Sequence, residues 1–341
     1  MRILIWGTGD YAKYITDFVK REQNTIHIHI SGYVDNDREK WNTCFEGYPV
    51  YPPAEIKRIL NRTDYIVISV LKHLDEITSQ CISQLAIPPD KILSYRLFYT
   101  KAQYRKRYKE EPGRRTPADT IWGKIAVYTA NIGFYDNLQE PEFTSSNIDY
   151  YCFTDNKSYK SDIWNVRHIS NSCSSPEENA KLVRHYKFFP GEYLPDYEIS
   201  IWVDSKYKII GDLRQYAALY SHGAPMLSFP HFFRDCIFEE AAICLDVGRG
   251  DPDMICNQIK NYRFNQYPPH HGLYENGCIV RRHKDKQVKR VMNDWWEEIN
   301  QYSLRDQISL PYVLWKNNFL PDICDLDIEE NEYLIKIGHK A

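Results

Sequence analysis

The chain has 341 residues, 43% apolar and 26% charged, which is enough material for two domains with sizeable cores. Its net charge of −3 does not supply the strongly basic face of a dedicated nucleic-acid binder. Nine cysteines, odd in number and with no C-x-x-C pair, argue against a structural zinc site or a disulfide scaffold and fit a reducing cytosol. Met1-Arg2-Ile3-Leu4-Ile5 runs straight into a strand, so no signal peptide is expected. No apolar run nears the roughly 18 residues of a membrane span. The expected location is the cytoplasm, with at most peripheral contact at the inner face of the membrane. Tyrosine is frequent, at 27 residues, and supplies rings for cores or for sugar faces.

Residues 2–6 read as a strand, 11–21 as a helix, 26–34 as a second strand, 53–60 as a short helix, 64–70 as an apolar β-branched strand, 74–85 as a helix and 91–95 as a strand. This alternation predicts a parallel sheet with crossover helices. Gly7-Thr8-Gly9-Asp10-Tyr11-Ala12 matches G-x-G-x-x-G/A between the first strand and the first helix. Gly7 permits the tight turn, Gly9 lets backbone approach a pyrophosphate, and Asp35 ends the next strand where an acid can hold a ribose hydroxyl. Asp10 inside the loop would repel a phosphate. The loop is therefore either a site for NAD(P) or another nucleotide, or a scaffold that only keeps the fold. The stretch resembles the accessory Rossmann-like domain found at the start of many polysaccharide-biosynthesis proteins.

Residues 101–120 break the pattern, with Lys101, Arg105, Arg107, Lys109, Arg114 and Arg115 beside Pro112-Gly113 and Pro117. The expected boundaries are a first domain over 1–105, a linker over 106–122 and a second domain over 123–341. The basic run reads as a solvated linker helix or a contact for anionic phospholipid. Strands are expected at 125–129, 150–155, 164–167 and 199–204, and helices at 179–189 and 288–302. Two of these strands end in acids, Asp155 and Asp204.

The order of motifs carries a second resemblance. Val127-Tyr128-Thr129-Ala130-Asn131, Cys152-Phe153-Thr154-Asp155, Arg184-His185-Tyr186-Lys187 and Ser200-Ile201-Trp202-Val203-Asp204 come first. His231 with Arg234-Asp235-Cys236-Ile237-Phe238-Glu239-Glu240, Gly272-Leu273-Tyr274-Glu275-Asn276-Gly277, Arg281-Arg282-His283, Trp295-Trp296-Glu297-Glu298 and Arg305-Asp306-Gln307-Ile308-Ser309-Leu310 follow. Over about residues 124–318 the chain resembles a glycosyltransferase-like family shared by plant Golgi proteins of pectin and mucilage synthesis and by bacterial capsule or O-antigen loci. The resemblance implies a GT-A-type α/β fold, a nucleotide-sugar donor (UDP by analogy), and a glycan or lipid-linked saccharide acceptor.

Glycosyl transfer places negative charge on a leaving pyrophosphate, which a carboxylate-held Mn²⁺ or Mg²⁺ can stabilise. Asp204 is the expected ligand, but Ser205 and Lys206 follow it instead of the second acid of D-x-D. Lys206 could instead supply the charge directly. His231, His283 and His339 are candidate further ligands, His339 because a C-terminal histidine closes the metal site in several GT-A enzymes. Thr129, Asn131 and Asp155 sit at strand ends suited to base and ribose recognition, together with Asp204 and Ser205. Arg184 and Lys187, one helical turn apart, can face the same phosphates. Asp306, Glu275 and Glu240 are the candidate catalytic acids. His231, Arg234, Glu239, Asn276, Trp296, Arg305 and Gln307 are expected around the acceptor. The competing readings are an NAD(P)-dependent oxidoreductase or epimerase using the first domain, which lacks a Tyr-x-x-x-Lys pair, and a non-catalytic scaffold in polysaccharide assembly.

Overall fold

The computed structural model describes residues 1–60, 64–109, 123–133, 136–170 and 175–337. The chain divides into two compact units, Met1–Gly113 and Arg114–Ala341, both α/β.

In the first unit the elements are β1 (Arg2–Trp6), α1 (Asp10–Ile26), β2 (His29–Val34), β3 (Cys44–Phe45), β4 (Tyr48–Tyr51), α2 (Ile56–Ile59), β5 (Tyr65–Ile68), α3 (Leu74–Ser79), β6 (Ile92–Ser94) and α4 (Tyr95–Tyr108). They build a six-stranded sheet in the order β3-β4-β2-β1-β5-β6, parallel except where β3 meets β4. Leu4, Trp6, Val34, Ile66 and Ile68 form one apolar cluster with Ile56 and Ile77. α1 outruns the expected helix because its buried stripe of Ala12, Ile15, Phe18 and Val19 continues through Glu22 to Ile26 at three- and four-residue spacing. It stops at His27, in the left-handed region at φ 50°, so β2 starts at His29 and not at Ile26. α4 carries Lys101, Arg105 and Arg107, and it runs through the start of the expected linker to Tyr108. The rest of that linker, 110–122, lies outside the described residues.

The second unit continues with β7 (Ile125–Asn131), β8 (Ile148–Thr154), β9 (Asn165–His168), α5 (Pro176–Phe188), α6 (Pro190–Tyr193), β10 (Ile199–Val203), β11 (Tyr207–Ile209), α7 (Leu213–Tyr220), β12 (Met226–Pro230), α8 (Ile237–Asp246) and α9 (Pro252–Phe264). β13 (Tyr274–Arg281), α10 (Lys286–Gln301), α11 (Asp306–Lys316), β14 (Asp322–Ile323) and β15 (Leu334–Lys336) complete it. Seven strands form one sheet in the order β14-β12-β13-β10-β7-β8-β9, and β11 pairs with β15. Every residue of β7 and β10 is buried, as expected of strands covered on both faces. α10 docks on α5 through Trp295, whose ring stacks on Phe188 at 4.0 Å between centroids and whose indole N–H donates to Ser309 Oγ. Such a stacked pair adds about 0.5–1.5 kcal/mol beyond its burial.

Candidate active site

The topology gathers the site. Strands β7, β8 and β10 are parallel, and the chain runs from β7 to β8 and β9 on one side before returning to β10 on the other. That reversal puts a topological switch point at the carboxyl ends of β7 and β10, where open α/β sheets bind ligands. β12 runs the same way as β10, because both are antiparallel to β13. Asn131, Asp155, Asp204 and His231 therefore leave the sheet at one edge, and Glu275 and Asn276 enter it there. Gly277 is required at this entry. A Cβ on it would lie 2.5 Å from the Tyr207 ring, and its carbonyl accepts the Asp204 N–H at 2.8 Å.

Asp204 is held from three sides. The Trp202 indole donates to its Oδ1 at 2.6 Å, Lys187 Nζ stands 3.8 Å from the same oxygen, and Lys206 Nζ stands 3.5 Å from Oδ2. Lys187 is buried, lies over the Trp202 and Trp295 rings, and donates to Asp306 Oδ2 at 2.8 Å. Burial alone would raise the Asp306 carboxyl, but Lys187, Arg184 and Arg305 outweigh it and hold the group well below the usual carboxylate range. The start of α11 also favours a negative charge there. Asp306 is thus a fixed anion and a poor proton acceptor. Burial would lower Lys206, but Asp204, Glu275 and Asp306 together raise it, so its ammonium is fully charged.

A second group surrounds Glu275. His231 Nδ1 accepts the backbone N–H groups of Phe233 and Arg234, both at 3.1 Å. The ring proton is therefore on Nε2, which faces Glu275 Oε1 at 3.3 Å. The Gln307 amide donates to Glu275 Oε2 at 2.9 Å and accepts from Arg305 Nη2 at 3.0 Å. Glu240 is engaged differently: Arg234 clamps it through Nε and Nη2 at 3.1 and 2.5 Å, and Arg305 approaches at 3.5 Å. Glu240 is buried and paired with two arginines. Glu275 is a little more open than Glu240, and the side chains nearest to it are His231 and Gln307 rather than an arginine.

The edge also holds buried polar atoms with no partner among the described residues: Thr129 Oγ1, Arg184 Nε, Arg305 Nε and both side-chain atoms of Asn276. Folded proteins leave few such groups, and a ligand rich in hydroxyls would satisfy them. Asn131 and Asp155 instead hold the loop after β7. Asn131 exchanges hydrogen bonds with the Asp136 backbone, and Asp155 accepts the Gly133 N–H at 3.1 Å. Ser205 Oγ donates to Asp136 Oδ2 at 2.6 Å. Asp136 and Trp202 are not among the site residues expected from sequence. An acid in the loop after a strand end, and a tryptophan two residues before an acid on one strand face, are the available signals.

Residues 1–93 match the C2185-like, N-terminal family, and residues 119–329, more than half of the chain, match the TOD1/MUCI70, glycosyltransferase-like domain. The chain belongs to the TOD1/MUCI70 glycosyltransferase-like family. A relative in Arabidopsis thaliana, "Probable hexosyltransferase MUCI70", is 22% identical over 271 residues, which cover 68% of this chain and 46% of the plant protein. The chain thus spans about half the length of the curated relative it matches.

Several expected residues of the glycosyltransferase-like unit are not brought to the charged cluster. Trp296, expected near the acceptor, packs against His185, Phe188 and Phe189 in the seam between α5 and α10. Glu239 turns to His270 at 3.8 Å while its neighbour Glu240 turns inward. His283 is buried near Arg281, and burial first, then the cations Arg281 and Lys284, push it down to about 4. His339 lies outside the described residues. No group of three metal-ligating side chains among the described residues includes Asp204, and two ammonium groups flank it. Among the described residues, Asp204 is the one carboxylate at this position expected to hold a metal, and its expected companion His339 is not described. Lys187 and Lys206 supply positive charge at this position. No helix among the described residues is long and apolar enough to cross a membrane.

In the first unit the glycine loop and Asp35 are engaged by neighbouring residues of the same unit. Gly7 sits at φ 106°, with Ser69 and Val70 where a Cβ would stand. The Asp35 carboxylate accepts from Thr8 Oγ1 at 2.7 Å, Asp37 N–H at 3.0 Å and Lys40 Nζ at 3.2 Å. Burial would raise it, and these three donors bring it below its ordinary value. Gly9 caps α1 with an ordinary φ of −100°, and a Cβ there would meet nothing within 4 Å, so the fold itself does not require glycine at this position.

Proposed function

We propose that the second unit transfers a hexose from a nucleoside diphosphate, UDP in the first instance, to a hydroxyl of a glycan or lipid-linked saccharide. The observation that carries the reading is the convergence, at the switch point of a seven-stranded sheet, of the Asp204–Lys187–Lys206–Asp306 cluster with Glu275 and the unpartnered atoms of Asn276 and Thr129. Family membership supports it.

In this reading Thr129, Asn276 and Asp204 bind donor hydroxyls, and the indole and two lysines fix the Asp204 carboxylate. The acceptor oxygen bonds to the anomeric carbon as the bond from that carbon to the diphosphate oxygen breaks. Glu275 takes the acceptor proton, oriented by His231 Nε2–H and Gln307. The charge that grows on the leaving diphosphate is met by Lys206 and Arg184, with Lys187 behind them. Asp306 keeps Lys187 in place rather than accepting a proton.

The test is an assay of nucleoside diphosphate release and saccharide product over a panel of nucleotide hexoses and oligosaccharide acceptors. Glu275→Gln is expected to bind donor as the native chain does and to lose transfer by about 100-fold or more. Undiminished transfer by this variant would contradict the assigned base.

A further inference from the structure

Away from the charged cluster, the turn into α8 and the loop ahead of β13 bring together three side chains of metal-binding type. Ligand atoms of Cys236, Glu239 and His270 all lie within 4.8 Å of one another. Cys236 is a buried free thiol at the N-cap of α8, and Glu239 is in the first turn of that helix. His270 comes from the other segment. Backbone hydrogen bonds fasten the two segments: His231 N–H to Leu273 O at 2.8 Å, and Gly272 N–H to Asp235 O at 2.9 Å.

The imidazole is oriented from behind. His270 Nδ1 donates to Asp235 Oδ1 at 2.7 Å, and Asp235 is buried. That hydrogen bond fixes the tautomer and turns Nε2 toward Glu239 Oε1, 3.8 Å away. A carboxylate holding the far nitrogen of a ligating histidine is the usual outer shell of a protein metal site. His270 also sits in the left-handed region at φ 55°, uncommon for a residue with a side chain, so the fold holds this ring in place at some cost.

The donor set selects the ion. A thiolate with an imidazole favours Zn²⁺ over the oxygen-seeking Mg²⁺, Mn²⁺ or Ca²⁺. Tetrahedral zinc bonds of about 2.0–2.3 Å place ligand atoms roughly 3.3–3.8 Å apart, so the group has to contract by about an ångström. Glu239, 43% exposed, is the most open of the three and would supply that movement. We propose that Cys236, Glu239 and His270 bind one Zn²⁺, with Asp235 as the positioning residue and a fourth position open to water. The ion would tie the segment that carries His231, Arg234 and Glu240 to the one that leads into Glu275. This proposal does not depend on the transferase reading.

The experiment uses the full chain, stripped with EDTA and titrated with Zn²⁺ against a chromophoric chelator. One Zn²⁺ per chain is expected, and Co²⁺ loading should add a thiolate-to-metal absorption band. Cys236→Ser should remove the band and weaken Zn²⁺ by about 100-fold or more. Asp235→Asn should weaken it by about 10–100-fold. Glu239→Gln, an exposed change that leaves the fold intact, should weaken it by about 10-fold or more. Absence of Zn²⁺ binding by the native chain overturns the proposal. So does binding that is unchanged in Cys236→Ser and Glu239→Gln, which would move the metal to other cysteines such as the exposed Cys44 or Cys256.

Discussion

Both units end parallel strands in an acidic residue, and the two acids meet different fates. In the first, Asp35 accepts from Thr8 of the glycine loop and from Asp37 and Lys40 just after it, so its carboxylate already has three donors. In the second, Asp204 joins a cluster of opposed charges bordered by buried polar atoms that have no partner among the described residues. A glycine motif describes a backbone shape, whereas unsatisfied buried groups describe something to be bound. The comparison favours the second unit as the place of chemistry although the first has the tidier motif.

The largest expected effect lies in the second unit's buried ion pair. Lys187→Ala removes the one side chain that hydrogen-bonds Asp306 as a cation, leaving it only the more distant charges of Arg184, Arg305 and Lys206, and should cost about 3 kcal/mol in a urea unfolding curve. If the loss stays below about 1 kcal/mol, the pair is exchanging with water as a surface pair does. Asp204→Asn keeps the shape of the site and should lower transfer by roughly 100- to 1000-fold with little change in stability. Native-like transfer in that variant would reduce Asp204 to a strand-end residue like Asp35.

A pH effect comes next. His283 lies at about 4, below its ordinary 6.5, because it is buried beside cations. Both folded and unfolded chains carry it neutral above 6.5. Below that value the unfolded chain takes up a proton that the folded chain refuses, so stability falls as pH drops, down to about pH 4. The contribution is at most about 3 kcal/mol. Urea midpoints measured across this window should show the slope, and His283→Gln should flatten it. The smallest effect belongs to the first unit: Thr8→Val should cost about 1 kcal/mol and leave transfer unchanged.

Much of the frame was legible in the sequence. The alternation of apolar β-branched runs with helical stripes gave the parallel cores, and the buried run from Ile199 to Val203 located Asp204. Arg184 and Lys187, three residues apart, announced a cationic face. What local patterns could not show is which distant residues meet. Lys187 pairs with Asp306 from 119 residues away, and Arg281 reaches Tyr128 across 153. The first of these contacts makes Asp306 a fixed anion, and the rings of His185, Phe188 and Phe189 pack against Trp296. Cys236 and His270 have no motif spacing, and only the apposition of the two segments joins them.

The most direct measurement is calorimetric titration of the full chain with UDP, GDP and CDP, repeated with Lys206→Ala and Asp35→Asn. One nucleoside diphosphate should bind without added Mn²⁺ or Mg²⁺. Lys206→Ala should weaken it by about 10-fold or more, since a charged contact to phosphate contributes about 1.5–3 kcal/mol, and Asp35→Asn should leave it unchanged. Binding that survives Lys206→Ala but is lost with Asp35→Asn would place the nucleotide on the glycine loop and contradict the account, as would the absence of binding by any of the three.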